Sequence, residues 1–149
     1  MNKEIITHSA DQTIQFGEEF AQTLQSGDVV CLYGDLGAGK TTLAKGIAKG
    51  LGIVTRVISP TFSLVREHNV SVKNSELKIK KLYHIDLYRL EKKEEIQSIG
   101  ITDILSDENG VVLIEWAEKL GDLLPKKRIQ IEITTLSDAE RKIQVIYEK

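Results

Sequence analysis

"YGDLGAGKTTLAKG", residues 33–46, sets three glycines inside six residues and follows them with a lysine and two threonines. Both flanks of this stretch are patterned, and that makes it decisive. Before it runs "DVVCLY", residues 28–33, a near-continuous apolar run of the kind buried on both faces of a sheet. After it, Leu43, Ala44, Ile47, Ala48 and Leu51 form a helical stripe, with Lys45 and Lys49 outside it and Gly50 and Gly52 marking its end. The unit is strand, glycine loop, helix. Gly34-Asp35-Leu36-Gly37-Ala38-Gly39-Lys40-Thr41 fits G-x-x-x-x-G-K-[ST] at every position. Glycines let a backbone turn tightly so that several N–H groups point into one concave space, and a helix amino terminus adds to that pull on an anion. Lys40 then reaches β- and γ-phosphates, and the Thr41 hydroxyl is a ligand for Mg²⁺. The dinucleotide fingerprint is excluded, because its third glycine would fall at Thr42.

Outward from this unit, Ser9-Ala10-Asp11-Gln12 reads as a capping box, with Ile14, Gly17, Ala21 and Leu24 at helical spacing until Ser26-Gly27 stops the helix. "VISPTFSLVREHNV" (57–70) and "LKIKKLYHIDLYRL" (77–90) predict an antiparallel pair around the polar turn "SVKNSE". "KKEEIQSIGITDIL" (92–105) predicts helix with a break near Gly100, and "GVVLIEW" (110–116) a second buried strand ending on a carboxylate and a tryptophan. "RIQIEI" and "KIQVIYE" both alternate, so the tail predicts a closing hairpin. The expected fold is a single P-loop NTPase-like α/β domain over residues 1–149, a mixed β-sheet flanked by helices, with antiparallel hairpins.

The composition agrees with one folded domain: 149 residues, 41% apolar and 28% charged. No run approaches a membrane span, and "MNKEIITHSADQ" lacks the apolar core of a secretion signal, so the expected location is the cytoplasm. The lone Cys31, inside an apolar run, is expected to be core packing. A net charge of −2 argues against unaided binding of RNA or DNA, which relies on clustered Lys and Arg. A nucleic-acid role would need a partner.

A phosphate loop needs a carboxylate to help hold Mg²⁺, and two acids end apolar strands: Asp86 in "LYHIDLYR" and Glu115 in "VVLIEW". Ser59 and Thr61 in "SPTF" offer hydroxyls that could approach a γ-phosphate or its metal. His84 lies two residues from Asp86 and faces the same side of a strand, where a hydrogen-bonded structural role outweighs a metal pair. No arginine follows the loop in an evident finger position; Arg66 and Arg89 are the nearest motif candidates.

Taken together, "GDLGAGKTTLAKG", "SPTFSLV", "YHIDLYRL", "SIGITDIL" and "VVLIEWAEKL" stand in the order and spacing of one family. From about Ser9 to Leu124 the chain closely resembles the bacterial TsaE (YjeE) family of small P-loop ATPases, which take part in threonylcarbamoyladenosine modification of tRNA. The resemblance implies ATP and Mg²⁺ as ligands. Gly37, Ala38, Gly39, Lys40, Thr41 and Thr42 carry over as nucleotide contacts, with Thr61 in a switch-like loop and Trp116 at a position important for activity. It favours Thr41 and Glu115 as metal ligands, and Lys40, Asp86 and Glu115 as the catalytic set. It places residues near Ser9 to Asp11 and Arg141 around the base. It also implies two protein partners, TsaD and TsaB, through which tRNA would be reached. Two other classes fit the loop: a small-molecule or nucleotide kinase, and a nucleotide-gated binding module without turnover.

Overall fold

The computed structural model describes residues 2–35, 37–53, 65–70 and 78–149. Ser59, Pro60 and Thr61, and the turn at 71–76, lie outside the described residues. Seven strands form one sheet: β1 (Lys3–Thr7), β2 (Val29–Tyr33), β3 (Val65–Asn69), β4 (Lys81–Asp86), β5 (Gly110–Glu115), β6 (Arg128–Thr135) and β7 (Arg141–Glu148). Their order is β1-β7-β6-β2-β5-β4-β3. The middle four, β6-β2-β5-β4, run parallel. Antiparallel partners, β3 on one side and β7 then β1 on the other, complete the mixed sheet.

Helix α1 (Ala10–Ala21) and helix α2 (Lys40–Gly50) cover one face, while α3 (Lys93–Ser98), α4 (Ile101–Leu105) and a 3₁₀ segment (Ala117–Leu123) follow on the other. Strand β2 shows why its sequence lacks alternation. Val30 and Leu32 enter the core under α1 and α2, whereas Val29 and Cys31 enter the opposite core with Ile114 and Ile101. Each fully buried Leu or Ile contributes about 1.5–3 kcal/mol of burial free energy. Burial pushes the Cys31 thiol up to about 12, so it stays protonated and serves as packing.

Helices α1 and α2 approach closely because glycines form their contact. A Cβ on Gly46 would stand 2.2 Å from the Ile14 carbonyl oxygen, and one on Gly17 would stand 2.8 Å from that of Leu43. Only hydrogen fits there.

Several boundaries differ from expectation. Helix α1 ends at Ala21, short of Ser26-Gly27, although Leu24 beyond it is buried. Ser9 caps it, its hydroxyl accepting from the Gln12 N–H at 3.1 Å, while the Gln12 side chain turns back to the His8 N–H at 2.7 Å. Strand β1 was not anticipated: it is five residues at the sheet edge, largely exposed and charged at its start. The break at Gly100 is present, with φ 80° between α3 and α4. Among the described residues no helix is long and apolar enough to cross a membrane.

Candidate functional site

Parallel strands bring their carboxyl ends to one edge, and in open α/β sheets ligands bind outside those ends. At this edge Tyr33, Glu115 and Asp86 close β2, β5 and β4, and Arg141 opens β7 opposite Thr135. The glycine loop leaves the end of β2, near the middle of the sheet, and enters α2. Gly39 takes φ 106° as the residue before the helix, a conformation that L side chains rarely adopt, and it offers no side-chain cap to the first turn. The amides of Lys40, Thr41 and Thr42 in that turn have no partner within the helix. Such a helix start is a ready anion site.

Lys40 is 6% exposed, and two groups hold its ammonium: Nζ donates to the Gly34 carbonyl at 2.6 Å and lies 3.9 Å from the centroid of the Trp116 ring. Trp116 adopts a left-handed φ of 61° just past β5, and its ring tilts against Tyr88 with centroids 5.1 Å apart. Strand ends thus deliver the lysine's contact and the acids together. Asp86 and Glu115 are register partners across β4 and β5, and both are buried. The Asp86 carboxylate accepts the Tyr88 N–H at 2.9 Å.

His84 is fully buried, and its Nε2 donates to Glu115 Oε2 at 2.7 Å. The pairing follows from register: His84 lies opposite Leu113, so Glu115, two residues on, is its diagonal neighbour. The hydrogen bond expected of His84 is therefore present. Its partner, however, is the second candidate acid on the next strand. That signal was available in the two matched strand ends, "HID" and "IEW", once β4 and β5 are taken as parallel neighbours.

Ser9 and Arg141 line one cleft beside the glycine loop. A small cleft of about 90 Å³ is lined by Ser9, Ala10 and Thr13 of the α1 start, Gly39 and Thr42 of the loop and α2, and Arg141 of β7. Arg141 donates from Nε to the Ala38 carbonyl at 3.0 Å and from Nη1 to those of Ser137 (2.7 Å) and Glu140 (2.9 Å), tying the β6–β7 turn to the glycine loop. Arg66, by contrast, stands on β3, three strands or about 14 Å from β2, and Arg89 is exposed beyond β4. Among the described residues, the arginine that hydrogen-bonds to the loop is Arg141. A larger cleft, about 920 Å³ and lined by Phe16, Phe20, Val29, Arg128 and Tyr147 among others, opens where β2 and β6 begin, at the opposite edge from the loop.

Thr41 and the acids offer hard oxygen donors, and among the described residues no group of three or more His, Cys, Asp or Glu is placed to enclose a metal. That donor set fits Mg²⁺, which takes one or two carboxylates and otherwise uses water and phosphate oxygens.

The sheet, its helices and this loop define a single α/β domain with a mixed seven-stranded sheet, in which a glycine loop joins a central parallel strand to a helix. Residues 7–143 match the family model of TsaE, described as threonylcarbamoyl adenosine biosynthesis protein TsaE, and the chain belongs to that family. It is 41% identical over 137 residues to the tRNA threonylcarbamoyladenosine biosynthesis protein TsaE of Bacillus subtilis, a match covering 92% of this chain and 80% of the relative. It is 38% identical to the protein of the same name in Treponema pallidum, covering 94% and 97%. A crystal structure of Bacillus subtilis YdiB superposes with a TM-score of 0.81 at 34% identity, covering all of this chain and 87% of that one.

Proposed function

We propose that this chain is a cytoplasmic, Mg²⁺-dependent ATPase whose cycle drives the complex that forms N6-threonylcarbamoyladenosine in the tRNA anticodon loop. The observation that carries the reading is the buried Lys40 at the mouth of an uncapped helix start, beside the strand end that holds Glu115. Family membership supplies the pathway, and the curated relatives are named for it.

In this reading the loop from Gly37 to Thr42 receives the ATP phosphates on its backbone N–H groups. Lys40 exchanges the Gly34 carbonyl for phosphate oxygens and neutralises charge that develops there during in-line attack by water. Thr41 and Glu115 would hold the Mg²⁺, which would supply positive charge to offset that of the phosphate oxygens. Asp86, register partner of Glu115, orients the water or the metal's hydration shell. Trp116 stiffens the Lys40 side chain through its ring face, and Thr61 of "SPTF" approaches the γ-phosphate.

TsaD and TsaB are the proposed partners, and tRNA is reached only through them, in keeping with the net charge of −2. Among the described residues Arg141 is occupied by carbonyls and Arg66 stands three strands from β2, in keeping with a transition-state arginine supplied by a partner; such fingers contribute about 10³ to 10⁵ in rate. Phosphate release from ATP, measured with and without TsaD and TsaB, tests this. Slow release alone and faster release in the complex is expected. Equal rates would remove the partner-driven cycle, and a phosphorylated small molecule in place of free phosphate would replace hydrolysis with kinase chemistry.

A further inference from the structure

His84 is the one fully buried histidine among the described residues, and its geometry is that of a side chain kept for a single bond. Nε2 reaches Glu115 Oε2 at 2.7 Å, whereas Nδ1 finds no hydrogen-bond partner among the described residues. A carboxylate accepts only, so the proton of this bond sits on Nε2, and Nδ1 is left buried without a partner among the described residues. A group half satisfied in the core costs stability that an apolar side chain of the same volume would not. Packing alone therefore does not account for an imidazole that shares its face of β4 with Leu82 and the buried Asp86. What the ring does provide is a fixed donor to the carboxylate that stands next to the glycine loop. Both members sit on neighbouring parallel strands, at 0% and 3% exposure.

We infer that His84 is a positioning residue: its Nε2–H pins Oε2 of Glu115, sets the plane of the carboxylate, and leaves Oε1 to the metal or to a water in the metal's shell. This rests on the proposed metal role of Glu115. Outer partners that orient a ligating group in this manner are typically worth 10- to 100-fold in metal affinity. The bond is charge-assisted on the acceptor side and screened from water, so its loss is not replaced by solvent.

The test uses the full chain, ADP and Mn²⁺ as the paramagnetic probe, with bound and free Mn²⁺ separated by electron paramagnetic resonance. His84→Gln places an amide N–H where Nε2 stands; His84→Asn is polar too but too short to reach Glu115. The Asn variant is expected to lose about 10- to 100-fold in Mn²⁺ affinity of the ADP complex, while the Gln variant stays within about threefold of wild type. Affinity for ADP without metal is expected to be the same in all three. Equal Mn²⁺ affinity of the Asn variant and wild type would overturn the inference, as would a Gln variant no better than Asn. Failure of the wild-type chain itself to bind Mn²⁺ with ADP would instead overturn the metal reading of the site.

Discussion

Helices α1 and α2 lie side by side and begin at the same edge of the sheet, yet their first turns are finished in opposite ways. Ser9 closes the start of α1 with its hydroxyl, and Gln12 folds back onto His8. Gly39 precedes α2 at φ 106° and contributes no cap. The first arrangement satisfies the helix from within its own sequence; the second leaves the first turn without a side-chain cap, with Lys40 held nearby on a carbonyl and an indole ring. Glycine itself divides along the same line. In the loop it is needed for backbone conformation, and between the helices, at Gly17 and Gly46, for the absence of a Cβ.

Substitutions that separate binding from folding sharpen this contrast. The largest effect is expected at Lys40: Lys40→Ala should lower ATP turnover about 10²- to 10³-fold, the usual loss for one group that stabilises developing charge. Its melting temperature should stay close to wild type, because the charge removed is a buried one. A variant that melts far earlier would mean that Lys40 serves the fold. Next comes Gly46→Ala, which forces a methyl against the Ile14 carbonyl and should destabilise by about 1–3 kcal/mol. At roughly 2–4 °C per kcal/mol that is readable by thermal melting, with nucleotide affinity of the folded fraction kept. Ser9→Ala should remove about 1 kcal/mol, the ordinary worth of an N-cap, and no measurable change would show that α1 is held by packing alone. Smallest is Lys49→Ala, which breaks an exposed 3.0 Å pair with Glu18 across the two helices; urea unfolding should shift by less than about 0.5 kcal/mol.

The strand, loop and helix around Lys40 were legible because each carries a local signature: an apolar run, a spaced glycine set, a stripe of period 3.6. The C-terminal hairpin and the bend at Gly100 were legible for the same reason. Strand β1 was not, since a short edge strand with Lys3 and Glu4 at its start has no alternation to display and gains its order from pairing with β7. The end of α1 was overrun because Leu24 is buried from the turn after the helix, which mimics one more helical contact. The link between His84 and Glu115 spans 31 residues and depends on β4 and β5 being parallel neighbours, a tertiary fact that no single segment encodes. The same holds for Arg141, which meets Ala38 across 103 positions.

Calorimetric titration of the purified chain with ADP and with ATP, in the presence and absence of Mg²⁺, bears most directly on the claim that a backbone loop and Glu115 share one metal nucleotide. Uptake at a single site, tightened by Mg²⁺ in the wild type and not in Glu115→Gln, is the predicted result. No uptake of either nucleotide with Mg²⁺ present would contradict it.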